Sequence, residues 1–251
     1  MIFNRRQFLA AAVAGAAAAS VFPAEARTAN FKAIAFDAFP VFDPRPIFKQ
    51  LETLFPGRGN EIANAWRTRQ FEYTWLRTAA GKYADFWSVT SDALRFAATQ
   101  LKLDLPDARH RQIMEGYLRV AAWPDAPAAL RQLKAKGLKL SFLSNFTAPM
   151  LEAGIRNAKL DGVFDDIFST DRVRVFKPHP SAYRMAMEEF GLKREEILFV
   201  AFAGWDAAGA KMFGYETFWV NRLGLPPEEL GVAADGVGRT LDDLVAYVEK
   251  R

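Results

Sequence analysis

From Pro124 onward the sequence alternates short apolar runs of strand length with stretches of helical period, and this alternation constrains the fold most. Residues 126–137 read as a helix, and Leu138-Lys139-Leu140-Ser141-Phe142-Leu143 as a strand. Residues 149–159 are helical, and Ile167-Phe168 is a short strand. A helix over 180–190 closes at Gly191, followed by a strand over 197–202. A helix over 206–213 closes at Gly214, and then come a strand over 217–220 and a last helix over 241–250. Such repetition buries its strands as a parallel sheet with helices on both faces. The apolar run from Phe31 to Asp37 supplies one more strand near the start.

Between that first strand and the alternating part, residues 47–120 keep a helical pattern almost throughout. Ile62, Trp66, Tyr73 and Leu76 recur at helical spacing, as do Phe86, Ala93, Phe96 and Ala97. The predicted fold is therefore α/β: a doubly wound, Rossmann-like parallel sheet with an inserted helical subdomain. Residues 27–45 and 124–251 form the α/β core, and 46–123 a helical cap over one edge of it.

The chain has 251 residues, 51% of them hydrophobic, which suits one medium-sized unit with an insertion. Its net charge of +4 is scattered, with no lysine and arginine run of the kind that binds nucleic acid. The absence of cysteine excludes disulfides, thiol nucleophiles and cysteine metal sites. Two histidines are too few for a histidine-rich metal site. Residues 1–26 are set apart from the fold. Asn4-Arg5-Arg6-Gln7-Phe8-Leu9 is a twin-arginine pattern, an alanine-rich apolar run follows, and Ala24-Glu25-Ala26 is a small-x-small cleavage signal. The run is shorter than the ~20 residues of a membrane span. The expectation is a twin-arginine export signal, a mature chain starting near Arg27, a periplasmic location and no membrane attachment after cleavage.

In a doubly wound sheet, sites form at the carboxyl ends of the strands. Those ends carry Asp37, Ser144 with Asn145, Lys177 and Asp206. Each has a plain reading alone: Asp37 and Asp206 as helix caps, Ser144-Asn145 as a turn, Lys177 as a solvated residue. At successive strand ends they form a chemically legible set. A carboxylate can attack an electrophilic carbon or phosphorus. A lysine between two acids keeps the nucleophile ionised. A second carboxylate can activate water against the resulting ester, and Ser144 and Asn145 offer donors to a bound anion.

This order resembles the haloacid dehalogenase superfamily, and within it the L-2-haloacid dehalogenase branch. The resemblance is carried by Phe55-Pro56-Gly57-Arg58-Gly59, by Trp66-Arg67 continuing to Gln70 and Glu72-Tyr73-Thr74-Trp75-Leu76-Arg77, and by Asp92-Ala93-Leu94-Arg95-Phe96. It continues through Leu143-Ser144-Asn145, Lys177-Pro178, Ile197-Leu198-Phe199-Val200 and Trp205-Asp206-Ala207 with Gly209-Ala210. It implies a reaction without metal or other cofactor on a small halogenated carboxylic acid. Asp37 would displace halide from the α carbon with inversion, and water would hydrolyse the aspartyl ester. Arg67 and Asn145 would receive the halide beside Trp205, and Ser144 would bind the substrate carboxylate. Lys177, Asp206 and Tyr183 match catalytic positions; Phe39, Phe71 and Phe86 would form aromatic walls. Members of this branch commonly pair through helical surfaces, so a homodimer is the implied assembly.

The superfamily's phosphatases carry a second aspartate two residues after the nucleophile, as acid for an alkoxide leaving group. Here that residue is Phe39, and halide needs no proton to leave. Magnesium wants several oxygen ligands, and residues 201–206 offer only Asp206. Four positions depart from the branch. Pro40 replaces a usual glycine, Val41 a threonine, Ala201 a serine and Ala203 an asparagine. Three readings follow. The chain is an active dehalogenase with a more apolar site, a degenerate relative that binds a small carboxylate without turnover, or a magnesium-dependent phosphatase.

Overall fold

The computed structural model describes residues 31–251. The export signal expected over residues 1–26 lies outside them. Strand β1 (Ala33–Phe36) is buried on both faces, which is why it reads as an unbroken apolar run. It pairs in parallel with β4 (Lys139–Ser144) on one side and β6 (Ile197–Ala201) on the other. With β5 (Asp166–Ser169), β7 (Glu216–Val220) and β8 (Gly236–Gly238) the sheet runs β5-β4-β1-β6-β7-β8, all parallel. The chain leaves β1 toward β4 and β5, then returns to β6 on its far side. The switch point thus lies between β1 and β6, where an open sheet parts to form a crevice.

Helices cover both faces: α6 (Ala126–Ala135), α7 (Ala148–Asn157), α8 (Pro180–Phe190), α9 (Gly204–Phe213) and α10 (Leu241–Glu249). Helices α8 and α9 end at Gly191 and Gly214 with φ of +63° and +102°. There glycine avoids the steric cost that a Cβ adds in left-handed backbone.

The insertion consists of α2 (Arg45–Leu54), α3 (Gly59–Ala79), α4 (Phe86–Gln100) and α5 (Asp107–Met114). It leaves and rejoins the core through two strands, β2 (Phe42–Asp43) and β3 (Ala121–Ala122), paired antiparallel. Further along, Thr78 Oγ1 accepts from the Phe176 backbone N–H at 3.0 Å, and the Tyr83 hydroxyl donates to Asp171. The cap is therefore fastened to the core at both its hinge and its far side.

The sequence reading places a strand through Asp37 and a loop after it. Instead, β1 ends at Phe36, and residues Ala38–Val41 form a one-turn helix, α1. Asp37 caps that turn, accepting from the Phe39 N–H at 3.3 Å, and Pro40 sits within the first turn, where a missing N–H costs nothing. The helix expected over 206–213 begins two residues earlier. Helix α9 starts at Gly204 with Ala203 as its cap, so Asp206 stands inside the first turn.

Candidate active site

Three elements converge on Asp37. Its backbone N–H donates to Val200 O at 2.9 Å, which ties the end of β1 to β6. From the loop before α8, Lys177 donates to Asp37 Oδ1 at 2.9 Å. From the end of β4, Ser144 donates to the same oxygen at 3.2 Å. Oδ2 keeps only the long bond from Phe39 N–H, so it retains the most free acceptor capacity. Ser144, expected to bind substrate carboxylate, thus already holds the nucleophile; its Oγ also accepts from Phe146 N–H at 3.2 Å.

Lys177 is buried and also donates to Asp206 Oδ2 at 2.6 Å. The other oxygen of Asp206 accepts from the Tyr183 hydroxyl at 2.7 Å. Burial works against the Lys177 charge, but Asp206 and Asp37 more than offset it and hold the ammonium above its usual pKa. Burial pushes the Asp206 carboxyl up to about 6; Lys177 pulls it down and the nearby Asp37 charge pushes it up. Burial, then the Asp206 charge, raises Tyr183 well above the usual phenol value, so it remains a neutral donor.

The position of Tyr183 depends on Gly209. A Cβ on Gly209 would lie 2.6 Å from the Tyr183 hydroxyl and 2.8 Å from Pro178 Cβ. Only a residue without one lets α8 and α9 approach with the hydroxyl between them.

Asp37, Ser144, Asn145 and Asp206 open onto one cavity of about 540 Å³ between core and cap. Asn145 Oδ1 accepts from the Lys177 backbone N–H at 3.0 Å, which leaves its NH₂ group for a ligand. Phe39, Phe71, Phe86 and Trp205 all line the cavity. Phe39 packs edge-on against Phe146, Phe86 stacks on Phe146, and Phe71 meets Trp205 edge-on. The Trp205 indole N–H is buried with no partner among the described residues. Arg67 lines the same cavity from α3, but its side chain is exposed and donates to Asn64 at 3.1 Å.

Sequence reasoning missed the group that holds α1 from behind. Trp123 Nε1 donates to Phe39 O at 2.9 Å, and Arg222 donates to Pro40 O at 2.9 Å. Arg222 is fixed by a bidentate pair with Asp125, with both distances near 3.0 Å, and its guanidinium lies 4.4 Å from the Trp123 ring centre. Asp125 in turn accepts from the first N–H of α10 at 2.7 Å. Arg222 follows a strand without a motif, so only its partner 97 residues away reveals its place. Of the four departures, Val41 and Ala201 are fully buried, Pro40 offers its carbonyl to Arg222, and Ala203 lines the cavity.

A nucleophilic aspartate at the first strand end, a lysine bridging it to a second carboxylate and an aromatic cavity under a helical cap form a distinctive arrangement. The sequence family described as haloacid dehalogenase-like hydrolase matches residues 5–214. The chain belongs to that family. Among curated relatives of this dehalogenase-like hydrolase, the (S)-2-haloacid dehalogenase of Pseudomonas sp. (strain YL) is 44% identical over 220 residues, covering 87% of this chain and 94% of that protein. A crystal structure of an L-2-haloacid dehalogenase superposes with a TM-score of 0.86 at 42% identity, covering 88% and 99% of the two chains. The L-2-haloacid dehalogenase of Xanthobacter autotrophicus with chloropropionic acid covalently bound matches with a TM-score of 0.80 at 36% identity, over 87% and 98%.

Proposed function

We propose that this hydrolase is an (S)-2-haloacid dehalogenase working through an aspartyl ester on Asp37. The observation that carries the reading is Lys177 Nζ, seated 2.9 Å from Asp37 and 2.6 Å from Asp206. One fixed positive charge thereby serves both the attacking carboxylate and the carboxylate that activates water. The relatives' names support the substrate class.

Asp37 Oδ2 attacks the α carbon of a 2-halocarboxylate, a C–O bond forms as the C–halogen bond breaks, and the configuration inverts. The halide leaves with its electron pair. The unpaired N–H of Trp205 and the free amide of Asn145 are donors available to it, and Arg67 supplies charge from the cap. Water then loses a proton to Asp206 and adds to the Asp37 carboxyl carbon. The oxyanion forms on Oδ1, where Lys177 and Ser144 already donate. Such preorganised donors are worth ~2.7–4 kcal/mol of barrier each in comparable sites. On collapse the ester C–O bond breaks, the departing alkoxide takes the proton back from Asp206 and leaves as the (R)-2-hydroxyacid, and Asp37 returns to a carboxylate by losing its remaining proton to solvent.

Val41, Ala201 and Ala203 supply no hydroxyl or amide, which is the case for a degenerate binder. Against it, three donors still hold Asp37, and both oxygens of Asp206 are engaged. Phe39 leaves no acid for an alkoxide leaving group, which argues against phosphoester hydrolysis. Incubation of protein starting at Arg27 with L-2-chloropropionate is the test. Halide release above an Asp37→Asn control is expected; no release would sink the reading, and phosphate release requiring magnesium would favour the phosphatase.

The twin-arginine pattern supports export of the folded enzyme to the periplasm. Fractionation of expressing cells with N-terminal sequencing tests this: a periplasmic form starting near Arg27 is expected, and a cytoplasmic form with Arg5-Arg6 intact would overturn it.

A further inference from the structure

The cavity is larger than a two- or three-carbon haloacid needs. Its volume of about 540 Å³ lies within the range that holds drug-sized ligands. Besides Asp37, its lining includes Phe202 and Ala203 after β6 and Leu223 and Leu225 on the turn after β7. These leucines are 53% and 52% exposed, yet they sit on an ordered turn. The Asn221 amide donates to Leu225 O at 2.8 Å, and its oxygen accepts from Leu225 N–H at 2.9 Å. Gly224, with φ of +64°, makes the bend between the leucines. A turn fixed by two side-chain bonds, holding two solvent-facing leucines over a cavity, is apolar surface prepared for a ligand.

We propose that this lobe is a subsite for a long, uncharged alkyl or aryl substituent on the α carbon of the 2-haloacid. The inference rests on the dehalogenase reading and names its substrate class. Ala203 lines the cavity next to Phe202 with a side chain small enough to leave room for a chain. Leu223 and Leu225 then cover its apolar length. Glu228 lines the mouth, with its carboxylate beside Gly204, and disfavours a tail that ends in a second carboxylate. A second copy of the chain covering the leucines would need the lobe as a contact surface, whereas the lobe is continuous with the cavity that holds Asp37.

Binding and turnover are measured separately. Calorimetry compares propionate with hexanoate, and halide release compares 2-bromopropionate with 2-bromohexanoate. For a well-covered chain each added methylene is worth about a fourfold gain. Hexanoate is expected to bind, and 2-bromohexanoate to turn over in kcat/KM, at least about tenfold better than the short acid. In Ala203→Leu and Leu225→Asp the long-to-short ratio is expected to fall by about tenfold. A global defect lowers both substrates and leaves that ratio unchanged. Equal binding of the two acids by the parent protein overturns the subsite. So does an unchanged ratio in both variants, including the case where Leu225→Asp only converts a dimer to a monomer. Preferential hexanoate binding with no halide release from either bromide supports the subsite while overturning the dehalogenase reading.

Discussion

Lys177 Nζ lies 2.6 Å from Asp206 and 2.9 Å from Asp37, and it is buried. One ammonium between two carboxylates leaves the cluster with an excess negative charge when all three are ionised. Burial is what raises Asp206; the Lys177 charge opposes that rise and the Asp37 charge adds to it, which makes the lysine a structural and a chemical element together.

Lys177→Met is therefore expected to do two things. It strands two carboxylates, one of them fully buried, and breaking a buried pair by removing one partner costs ~3–5 kcal/mol. It also removes the donor to the oxyanion on Asp37, so kcat falls by a factor of about a thousand or more. Urea unfolding and halide release check the two effects. A variant as stable and as active as the parent would contradict both.

The acid limb of kcat is expected near pH 6, because Asp206 must be ionised to take a proton from water and its carboxyl is held at about 6. Stability has the opposite sign. A carboxyl raised in the folded state binds its proton more tightly there than in the unfolded chain. Its contribution is fully present below the unfolded value of 3.8 and is lost as pH rises through about 6. Unfolding free energies of the parent and Asp206→Asn across this window are expected to diverge with rising pH, the parent losing stability relative to the variant.

Tyr183→Phe removes a donor that lowers the Asp206 pKa, so the acid limb of kcat is expected to move to higher pH. Gly209→Ala is expected to shift it the same way, because its methyl would lie 2.6 Å from the Tyr183 hydroxyl and push it aside. A pH–rate profile of each variant that overlays the parent's would show that Tyr183 does not tune Asp206.

Trp123→Phe keeps an aromatic ring against Arg222 but removes the N–H that holds Phe39 O. A stability loss of ~1 kcal/mol is expected, the usual net worth of such a bond. If the clamp positions the nucleophile turn, kcat falls by about tenfold while KM moves little. A rise in KM at constant kcat would instead give Trp123 a role in substrate binding.

Much of this architecture was legible because local and long-range signals agreed. Helix α8 runs from Pro180 to Phe190 as the sequence reading has it, with Gly191 left-handed beyond it. Asp37, Ser144, Asn145, Lys177 and Asp206 meet because strand ends in a parallel sheet share one edge. What escaped the reading depends on distant partners. Strand β8, Gly236-Val237-Gly238, has no apolar run; it is made by pairing with Phe218 to Val220 and by close packing on its glycines. A Cβ on Gly236 would lie 2.6 Å from Tyr247, and one on Gly238 2.4 Å from Asp243. Helix α1, Ala38-Phe39-Pro40-Val41, has no helical period, and exists because Asp37 caps it while Trp123 and Arg222 hold its carbonyls.

Single-turnover reaction in heavy-oxygen water tests the role of Asp37 most directly. With enzyme in excess over L-2-chloropropionate, the hydroxyl of the first product is expected to carry ordinary oxygen, taken from the aspartate. The heavy atom should appear in the peptide that contains Asp37. Heavy oxygen in the first product with an unlabelled Asp37 peptide would mean that water attacks the α carbon directly, and would contradict the aspartyl-ester mechanism.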